Sequence, residues 1–393
     1  MEEAPREAGA PEGSAEAAAA EAPADSVASE APPPPAHKQF PCRQCGAKVD
    51  YSPGAGALKC PYCGCENLIP QSEQDIQELD FEQALAEKPE AQQTEERLTV
   101  RCSSCGAETT LESNVTSAAC PFCGSNIVAT GASSKVLKPK SLLPFKITRP
   151  QAEGAWRRWI NGLWFAPGKL KEFARAENRL AGIYVPYWTY DAHATSFYHG
   201  ERGDDYWVTE HYTVRVGNRT EHRTRRVRKT RWRPVSGTVW NDFDDVLVLA
   251  SRSLPQKHAE ALEPWDLQNL LPYSDGYLSG FRAESYQVDL AQGFQRAKEI
   301  MYEGICATIR EDIGGDHQRI HSVKTRYENI MFKHLLLPVW LSAYRFRERV
   351  YRFLVNARTG EVQGERPYSW VKIALLVLGI IGGLLLAAAV FSR

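Results

Sequence analysis

Residues 42–64 read CRQCGAKVDYSPGAGALKCPYCG and contain two CxxCG motifs, with fourteen residues between Cys45 and Cys60. The arrangement returns 60 positions later, where residues 102–124 read CSSCGAETTLESNVTSAACPFCG. A structural zinc ion prefers a closed tetrahedron of four ligands, and a CxxC turn places two sulfur atoms on one side of a tight backbone turn. Glycine after each motif suits a positive φ there. The repeat predicts two zinc ribbons that bind two Zn²⁺ ions through Cys42, Cys45, Cys60, Cys63, Cys102, Cys105, Cys120 and Cys123.

Paired cysteines also serve as disulfides or redox centres, and catalytic zinc is a further alternative. The N-terminus has neither a basic segment nor a long apolar one, so no secretory signal is recognised and a reducing cytosol is expected. A catalytic zinc usually keeps three protein ligands and an open position, whereas each set here has four cysteines. Cys65 is either a substitute ligand or an idle thiol, and Cys306 is expected in the core.

Composition divides the 393 residues into segments that predict a multi-domain protein with two small β zinc ribbons, an α+β domain and one C-terminal transmembrane helix. The segments are a disordered Ala/Glu/Pro-rich arm (1–37), zinc ribbon 1 (38–70), an acidic, solvated and partly helical linker (71–97), zinc ribbon 2 (98–129), an α+β cytoplasmic domain (140–368) and a transmembrane helix (371–391).

Within the α+β domain, the clearest helix is predicted over Asp289–Glu311, where apolar residues recur at steps of three and four. Gly314-Gly315 follows, where a helix is expected to stop. Pro186 and Pro338 lie in strand-like runs and indicate a sheet edge or a bulge. The predicted strands are Ile183–Tyr190, Tyr206–Val216, Val246–Ala250 and Leu335–Tyr344, with a hairpin of Tyr351–Asn356 and Glu361–Gly364.

The C-terminal segment from Ile373 to Phe391 has no charged or polar side chain. At about 1.5 Å per residue it just spans a hydrocarbon core of about 30 Å. Tyr368 and Trp370 stand at its entrance, as interfacial aromatic residues do. A buried helix of a soluble protein is the alternative. Because no export signal precedes it, we expect a single-pass, C-terminally anchored protein of the cytoplasmic (inner) membrane, with the bulk of the chain in the cytoplasm.

Small residues recur four apart in this segment, at Gly379, Gly383 and Ala387. Such a face can pack against another membrane helix and would support an oligomer. Ordinary glycine content of a membrane helix is the alternative.

Basic side chains are concentrated between residues 215 and 233, where only Glu221 opposes them. They could contact phosphates of anionic lipid or nucleic acid. Alternatively, they lie on a hairpin and pair with the acidic linker or with Asp242, Asp244 and Asp245. The basic residues are Arg215, Arg219, Arg223, Arg225, Arg226, Arg228, Lys229, Arg231 and Arg233.

The sequence contains no phosphate-binding loop, no HExxH, no GxSxG and no dinucleotide fingerprint, so we expect a protein that is not an enzyme. His317 and His321 lie near Asp312 and Asp316, either as a metal site or as ordinary surface polar residues.

These motifs together resemble a family of bacterial membrane-anchored double zinc-ribbon proteins, over about residues 38–391. Members often carry the automatic name primosomal protein N′ (replication factor Y), superfamily II helicase, and have ribbons similar to those of transcription factor IIB. The resemblance implies zinc binding by the eight cysteines and a role in membrane-stress assemblies with phage-shock-type proteins. Beside the CxxCG motifs it is carried by Ile183–Trp188, Phe243–Val246, Leu262–Asp266, Leu335–Trp340 and Leu354–Val362.

The expected function is therefore that of a non-enzymatic, membrane-tethered zinc-ribbon adaptor that binds protein partners at the cytoplasmic face. The alternative is a nucleic-acid-binding zinc-ribbon protein of replication or transcription without its own ATPase motor. Acidic tracts flank the ribbons and would repel phosphates, which makes nucleic acid the less favoured partner.

Overall fold

A computed structural model of the chain describes residues 40–70, 76–87, 94–103, 107–110, 117–120, 122, 125–128, 132–167, 180–216, 219–346, 349–366 and 368–391. The predicted disordered arm, residues 1–37, lies outside the described residues. The helices are α1 Phe81–Ala86, α2 Arg149–Gly162, α3 Gln256–Glu260, α4 Leu290–Ile313 and α5 Trp370–Phe391. The strands are β1 Asp50–Ser52, β2 Ala57–Lys59, β3 Glu66–Asn67, β4 Leu79–Asp80, β5 Thr94–Arg101, β6 Glu108–Thr110, β7 Ser117–Ala119, β8 Asn126–Val128, β9 Ala132–Leu137, β10 Ser141–Leu142, β11 Ala181–Val216, β12 Arg219–Leu249, β13 Leu271–Pro272, β14 Arg282–Ala283, β15 His317–Phe346, β16 Arg349–Asn356 and β17 Val362–Gly364.

Three long antiparallel strands form the centre of a nine-stranded sheet in the order β12-β11-β15. They contain 31, 36 and 30 residues. β10 continues the sheet by pairing in parallel with β15, and β16 and β17 form the predicted hairpin on the same strand. The α+β character of this region is confirmed, but the strands predicted as short separate runs are parts of these continuous strands.

Helix α4 covers one face of the long sheet. Asp289 caps it by accepting a hydrogen bond from the Gln292 backbone N–H at 2.8 Å, and Gly314 ends it with φ +62°. Its apolar stripe is buried against side chains from the sheet that include Tyr190 and Tyr198. The helix predicted over Asp289–Glu311 is thus confirmed, with two further residues at its C-terminal end.

The other end of the sheet is covered on both faces by the cysteine-containing segments. Cys42 and Tyr51 share a core with Tyr184, whereas Cys102 shares a different core with Ile183. Because successive residues of a strand point to opposite faces, the two segments lie on opposite sides of β11. The cysteine-containing segments are therefore built into the core of the α+β region rather than attached to it by free linkers.

The acidic segment between the cysteine sets is partly helical, as expected, and part of it is bound to the sheet. β4 pairs with β15 through Asp80 and Met331, and Phe81 at the start of α1 is buried. Asp80 caps α1 by accepting from the Gln83 backbone N–H at 2.7 Å. The linker was predicted to be solvated, but this part of it is a short strand and helix docked beside α4.

A two-stranded arm projects from the sheet. β15 pairs with β11 only as far as Gly203 opposite His317, while β11 and β12 remain paired to Val216 opposite Arg219. Residues 204–216 and 219–231 therefore form a ribbon with no third strand among the described residues, and we call them the arm. At about 3.3 Å per residue, the arm extends about 43 Å beyond β15.

Helix α5 begins near the opposite end of the sheet. The Ser369 backbone N–H donates to the Phe165 carbonyl at 2.8 Å, and Lys372 Nζ donates to the Trp164 and Ala166 carbonyls at 3.0 and 2.9 Å. These contacts hold the helix start at the loop after α2, which packs on β16 and β17. The tip of the arm lies at the other end of β11, about 110 Å along the strand from the start of α5.

Candidate metal centre

The first cysteine set is built from two matching backbone turns. In each turn the glycine N–H donates to the carbonyl of the first cysteine, at 2.9 Å from Gly46 to Cys42 and 3.0 Å from Gly64 to Cys60. Both glycines have φ +73°, in the left-handed region where a side chain is strained. β1, β2 and β3 form a three-stranded antiparallel sheet that holds the two turns face to face.

The four sulfur atoms of this set surround one point. Cys42 Sγ lies 3.5 Å from Cys63 Sγ, and Cys45 Sγ lies 3.5 Å from Cys60 Sγ. All four Sγ atoms lie within 4.8 Å of one another. A zinc ion bonded to four sulfur atoms at about 2.3 Å requires sulfur atoms about 3.8 Å apart. The distances exceed the about 2.05 Å of a disulfide, so the set fits a metal ion.

Hydrogen bonds favour the thiolate form at the first cysteine of each turn, whereas hydrogen bonds with the other cysteines and burial raise the pKa values of Cys45 and Cys63. Backbone hydrogen bonds from Cys45 and Gln44 lower the pKa of Cys42 to about 6, and that of Cys60 is lowered by the Cys63 backbone. Asn67, which is buried, points its Nδ2 at Cys42 Sγ at 3.9 Å and accepts from the Arg43 backbone N–H at 3.0 Å. Deprotonated sulfur is the form that binds metal. Sequence reasoning missed Asn67, whose role depends on the fold of β3.

The second cysteine set is described in part. Cys102 and Cys120 are buried at 1 % and 2 % exposure, beside Ala107 and Phe122. The Cys102 and Cys120 backbone N–H groups donate to the Ala107 and Ser125 carbonyls at 2.8 and 2.7 Å. The equivalent bond from Cys42 to Ala47 measures 2.7 Å in the first set. Cys105 and Cys123 lie outside the described residues, so the second Zn²⁺ ion stays a prediction.

The remaining candidate metal ligands lie elsewhere. Cys65 is half-buried outside the four-sulfur group, and Cys306 is buried on α4 as expected. His317 Nε2 contacts Asp205 at 3.2 Å and His321 Nε2 contacts Glu201 at 3.6 Å. The two histidines and their neighbouring aspartates are not brought together into one ligand set within the described part of the chain.

A second group of close ligand atoms consists of the carboxylates of Glu78, Asp191 and Asp244. The group already has a cation beside it, because buried Lys333 places Nζ 3.0 Å from Glu78 and 2.7 Å from Asp245. Burial raises the pKa of Asp191 to about 6 although its carboxylate accepts the Asp245 backbone N–H. We therefore interpret the group as a partly buried ion-pair network.

The predicted basic stretch lies mainly on the return strand of the arm, with Arg215 on the outgoing strand and Arg233 at the base. Its carboxylate partners are on the same arm: Glu210 binds Arg225 at 3.0 Å and Lys229 at 2.9 Å, and Asp205 binds Arg228 at 3.1 Å. Within the described residues, the ion pairs of this stretch are thus local to the hairpin and involve neither the acidic linker nor the aspartates at 242–245. Further contacts are Arg223 with Glu221, Arg233 with Asp204, Arg226 over Trp207 and Arg231 over Tyr206.

Helix α5 is long and apolar enough to cross a membrane by length and composition, within the part of the chain that the structure describes. An added Cβ at Gly379 or Gly383 would meet no atom within 4 Å. The face that includes Ala387 is therefore open to an external contact, and helix association stays a prediction.

The described chain is thus a large β-sheet protein with helices, a four-cysteine group that could hold a metal ion and a C-terminal apolar helix. It is 28% identical over 265 residues to the uncharacterized protein YdjG of Bacillus subtilis (strain 168), which covers 65% of this chain and 72% of that protein. No family model matches the chain. No solved structure matches it either.

Proposed function

We propose that the protein is a non-enzymatic adaptor, tethered to the cytoplasmic membrane by α5, that uses zinc-stabilised ribbons to present a docking surface to protein partners. The observation that carries the proposal is the four-sulfur group of Cys42, Cys45, Cys60 and Cys63, in which Cys42 and Cys60 are buried in a core shared with the sheet. A structural metal there fixes the ribbon to the membrane-proximal end of the sheet.

The second ribbon is proposed to hold a second Zn²⁺ ion through Cys102, Cys105, Cys120 and Cys123. The matched backbone bonds of Cys102 and Cys120 support this assignment, because they repeat those of the first set. The bulk of the chain is proposed to lie in the cytoplasm, where thiolates stay reduced. A role in membrane-stress assemblies rests on the resemblance described above.

The proposed docking surface is the outer face of the first ribbon. Tyr62 and Leu68 are 83% and 75% exposed, on the side away from the core that Cys42 and Cys60 join. Exposed apolar side chains on a rigid support are typical anchors of protein interfaces. Because the inner face of the ribbon is buried, this outer face is the part left for a partner.

The zinc assignment is tested on the purified full chain in detergent. We expect two Zn²⁺ ions per chain by elemental analysis, and one after Cys42→Ser and Cys45→Ser together. A content of one Zn²⁺ ion per chain in the wild-type protein would contradict the second site. A zinc content that the substitutions leave unchanged would contradict the first.

The adaptor assignment is tested by crosslinking the full chain in membranes. Tyr62→Ser with Leu68→Ser is expected to abolish defined crosslinked bands and to leave zinc content and membrane association intact. The matched control is Leu85→Ser, which changes an exposed leucine of α1 that is 51% exposed. Bands that persist in the ribbon variant, or that vanish equally in the control, would contradict docking at this face.

A further inference from the structure

In the part of the long sheet that α4 covers on one face, the opposite face has no covering element among the described residues. Helix α4 packs on the side of β11 that carries Tyr190, Ala194 and Tyr198. Residues between these, including Phe197 at 56% exposure, point to the opposite side, which we call the open face. Trp240 of β12 lies on the same face opposite Thr195 and is 71% exposed. Such exposure is unusual for aromatic side chains in the middle of a strand and indicates a binding surface.

The strand register extends this aromatic row onto the arm. Trp232 is paired with Gly203, and Trp207, which is 59% exposed, follows four residues along β11. From the Trp240 position opposite Thr195 to Trp207, the row covers about 40 Å at about 3.3 Å per residue. Phe197 and Trp240 are diagonal neighbours, about 7–8 Å apart in such a pair.

Cations from β12 and β15 flank the row. Lys324 lies directly opposite Phe197 and Arg326 opposite Thr195, while Arg228 lies opposite Trp207. Arg319 stacks over Trp232 with its guanidinium carbon 3.7 Å from the ring centre, and Arg226 lies over Trp207 at 5.5 Å.

Carboxylates neutralise this face only in part. Arg228, Arg319 and Arg326 have partners in Asp205, Glu201 and Glu328. For Lys324 and Arg226 no carboxylate lies within ion-pair distance in the residues that the structure describes. The arm that continues the face carries eight basic and four acidic side chains, so it remains positive.

We propose that the open face and the arm bind a single-stranded polynucleotide, with bases stacked on the aromatic row and phosphates held by the flanking cations. Stacking platforms interleaved with basic side chains bind single strands in this way. The row length of about 40 Å suits the about 4–16 nucleotides that such surfaces take.

The composition of the face distinguishes this ligand from a protein. From His193 to Arg215 on β11, and in the opposing positions of β12 and β15, the outward residues are aromatic, hydroxylic, histidine, proline, glycine or charged. Aliphatic side chains, which commonly fill the centre of protein interfaces, do not occur at these positions. Rings beside hydroxyl groups and cations suit flat bases and a phosphate chain.

The distance along the sheet also argues against the membrane that holds α5 as the ligand of the open face. The tail begins at the loop after α2, whereas the aromatic row and the arm lie towards the far end of β11. The proposed site is therefore held away from the helix that enters the bilayer, and it is independent of the zinc sites and of the docking face on the first ribbon.

The test measures fluorescence anisotropy of labelled oligo-dT and oligo-U of about fifteen nucleotides, and of a DNA duplex of similar length, with the full chain in detergent. We expect saturable binding of a single strand and markedly weaker binding of the duplex. A preference for oligo-U or oligo-dT identifies RNA or DNA as the source and supports the proposal either way.

Two substitutions test the aromatic row against a matched control. Phe197→Ala with Trp240→Ala is expected to weaken single-strand binding about 10- to 100-fold, from the usual effect of removing stacked rings. Tyr302→Ala with Trp164→Ala removes rings of 47% and 76% exposure that lie off this face, and is expected to change binding less than about twofold.

Salt dependence tests the cations. Lys324→Gln is expected to reduce the slope of log affinity against log salt by about 0.7, the value for one phosphate contact to a single strand, whereas exposed Lys257→Gln leaves it unchanged. The proposal is overturned if no oligonucleotide binds, if the duplex binds as tightly as the single strand, or if both aromatic pairs lose affinity equally. It is also overturned if Phe197→Ala with Trp240→Ala removes protein crosslinks and leaves oligonucleotide binding unchanged.

Discussion

The two ends of β11 share one strand but are stabilised in different ways. At the Ala181 end, both faces are covered, and Tyr184 and Ile183 belong to separate buried clusters that each include cysteines. At the Val216 end, β11 pairs with β12 alone, and the arm they form is held by exposed ion pairs such as Arg225 with Glu210. Apolar burial is worth far more than exposed ion pairs, so the first end is a rigid support and the second is an arm of low local stability.

The largest expected loss of stability comes from removing the metal ligands at the covered end. Cys42→Ser with Cys45→Ser should remove the first metal ion and destabilise the sheet as well as the ribbon, because Tyr51 OH donates to the Phe145 carbonyl at 3.1 Å within their common core. Structural zinc contributes about 10–16 kcal/mol in isolated zinc-finger peptides, so a loss of several kcal/mol is expected. Thermal unfolding of the full chain, followed by tryptophan fluorescence, measures it.

Cys65→Ser is the control for that experiment, since Cys65 lies outside the four-sulfur group. It should keep both the metal content and the unfolding temperature. An unchanged unfolding temperature in the double serine variant would show that the ribbon and the sheet are energetically separate.

A buried ion pair at the same end gives the next effect. Arg358 binds Asp266 at 2.5 Å and donates to the Pro144 carbonyl at 3.0 Å, and its side chain is only 10% exposed. Arg358→Ala leaves the Asp266 carboxylate without its partner and should cost about 3 kcal/mol of unfolding free energy.

Acid should have a related effect, because hydrogen bonds with Arg358 hold the pKa of Asp266 below its usual value. A lowered folded-state pKa contributes stability above the unfolded pKa, and that stability is lost as pH falls through the folded pKa. The wild-type protein should therefore lose this contribution below about pH 4, whereas the Arg358→Ala variant should not show that part of the acid dependence. Equal acid dependence in the two proteins would contradict the pairing.

Local sequence patterns were sufficient for the elements stabilised locally. The stripe and caps of α4, the hairpin after Tyr351 and the first cysteine set could be predicted because spacing alone determines them. Helix α2 was missed, although its capping box at Thr148 and Gln151 is a sequence signal. The lengths of β11 and β12 were missed because polar residues interrupt their apolar runs.

The two strand prolines show why pairing could not be predicted. Pro186 and Pro338 lie in interior strands, contrary to the expected edge or bulge. Each lies one residue beyond the last pair formed with a neighbouring strand, β12 for Pro186 and β16 for Pro338. Their carbonyls accept from Ala250 at 3.0 Å and Ala357 at 3.1 Å, just beyond the ends of β12 and β16. The missing proline N–H points to the same side of the strand as that carbonyl, so no ladder bond is lost.

The open face likewise depends on register that no local pattern contains. Bulges between Tyr190 and Ala192, and between His199 and Gly200, set which side chains face α4. A shift of one residue would move Phe197 to the helix side. The aromatic row could therefore be found only after the three strands were aligned.

A smaller effect is expected between the two ends, at the carboxylate network of Asp191. Its folded pKa of about 6 lies above the usual value near 4, because burial disfavours the charged form. A raised folded-state pKa means that the native state binds the proton more tightly, so stability falls as pH rises from about 4 to 6. Asp191→Asn keeps an oxygen for the Asp245 N–H and removes the charge.

This variant should be about 1 kcal/mol more stable than wild type at pH 7.5, after allowance for solvent screening, and the two should converge near pH 4. Unfolding temperatures measured across that pH range give the difference. A variant less stable than wild type at pH 7.5 would show that Lys333 needs the Asp191 charge.

The smallest effect is expected on the arm, where Arg225→Ala removes an ion pair to Glu210 whose arginine is 63% exposed. Exposed pairs contribute about 0.2–1 kcal/mol, so the unfolding temperature of the full chain should hardly change. Hydrogen exchange is the sensitive measurement, because the arm amides should exchange faster than those of residues 183–190 in the same strand, and faster still in the variant. Arg358→Ala provides the contrast, since it should accelerate exchange at the covered end. If Arg225→Ala slowed exchange in the arm, or cost as much stability as Arg358→Ala, the two ends would not differ in the way their burial indicates.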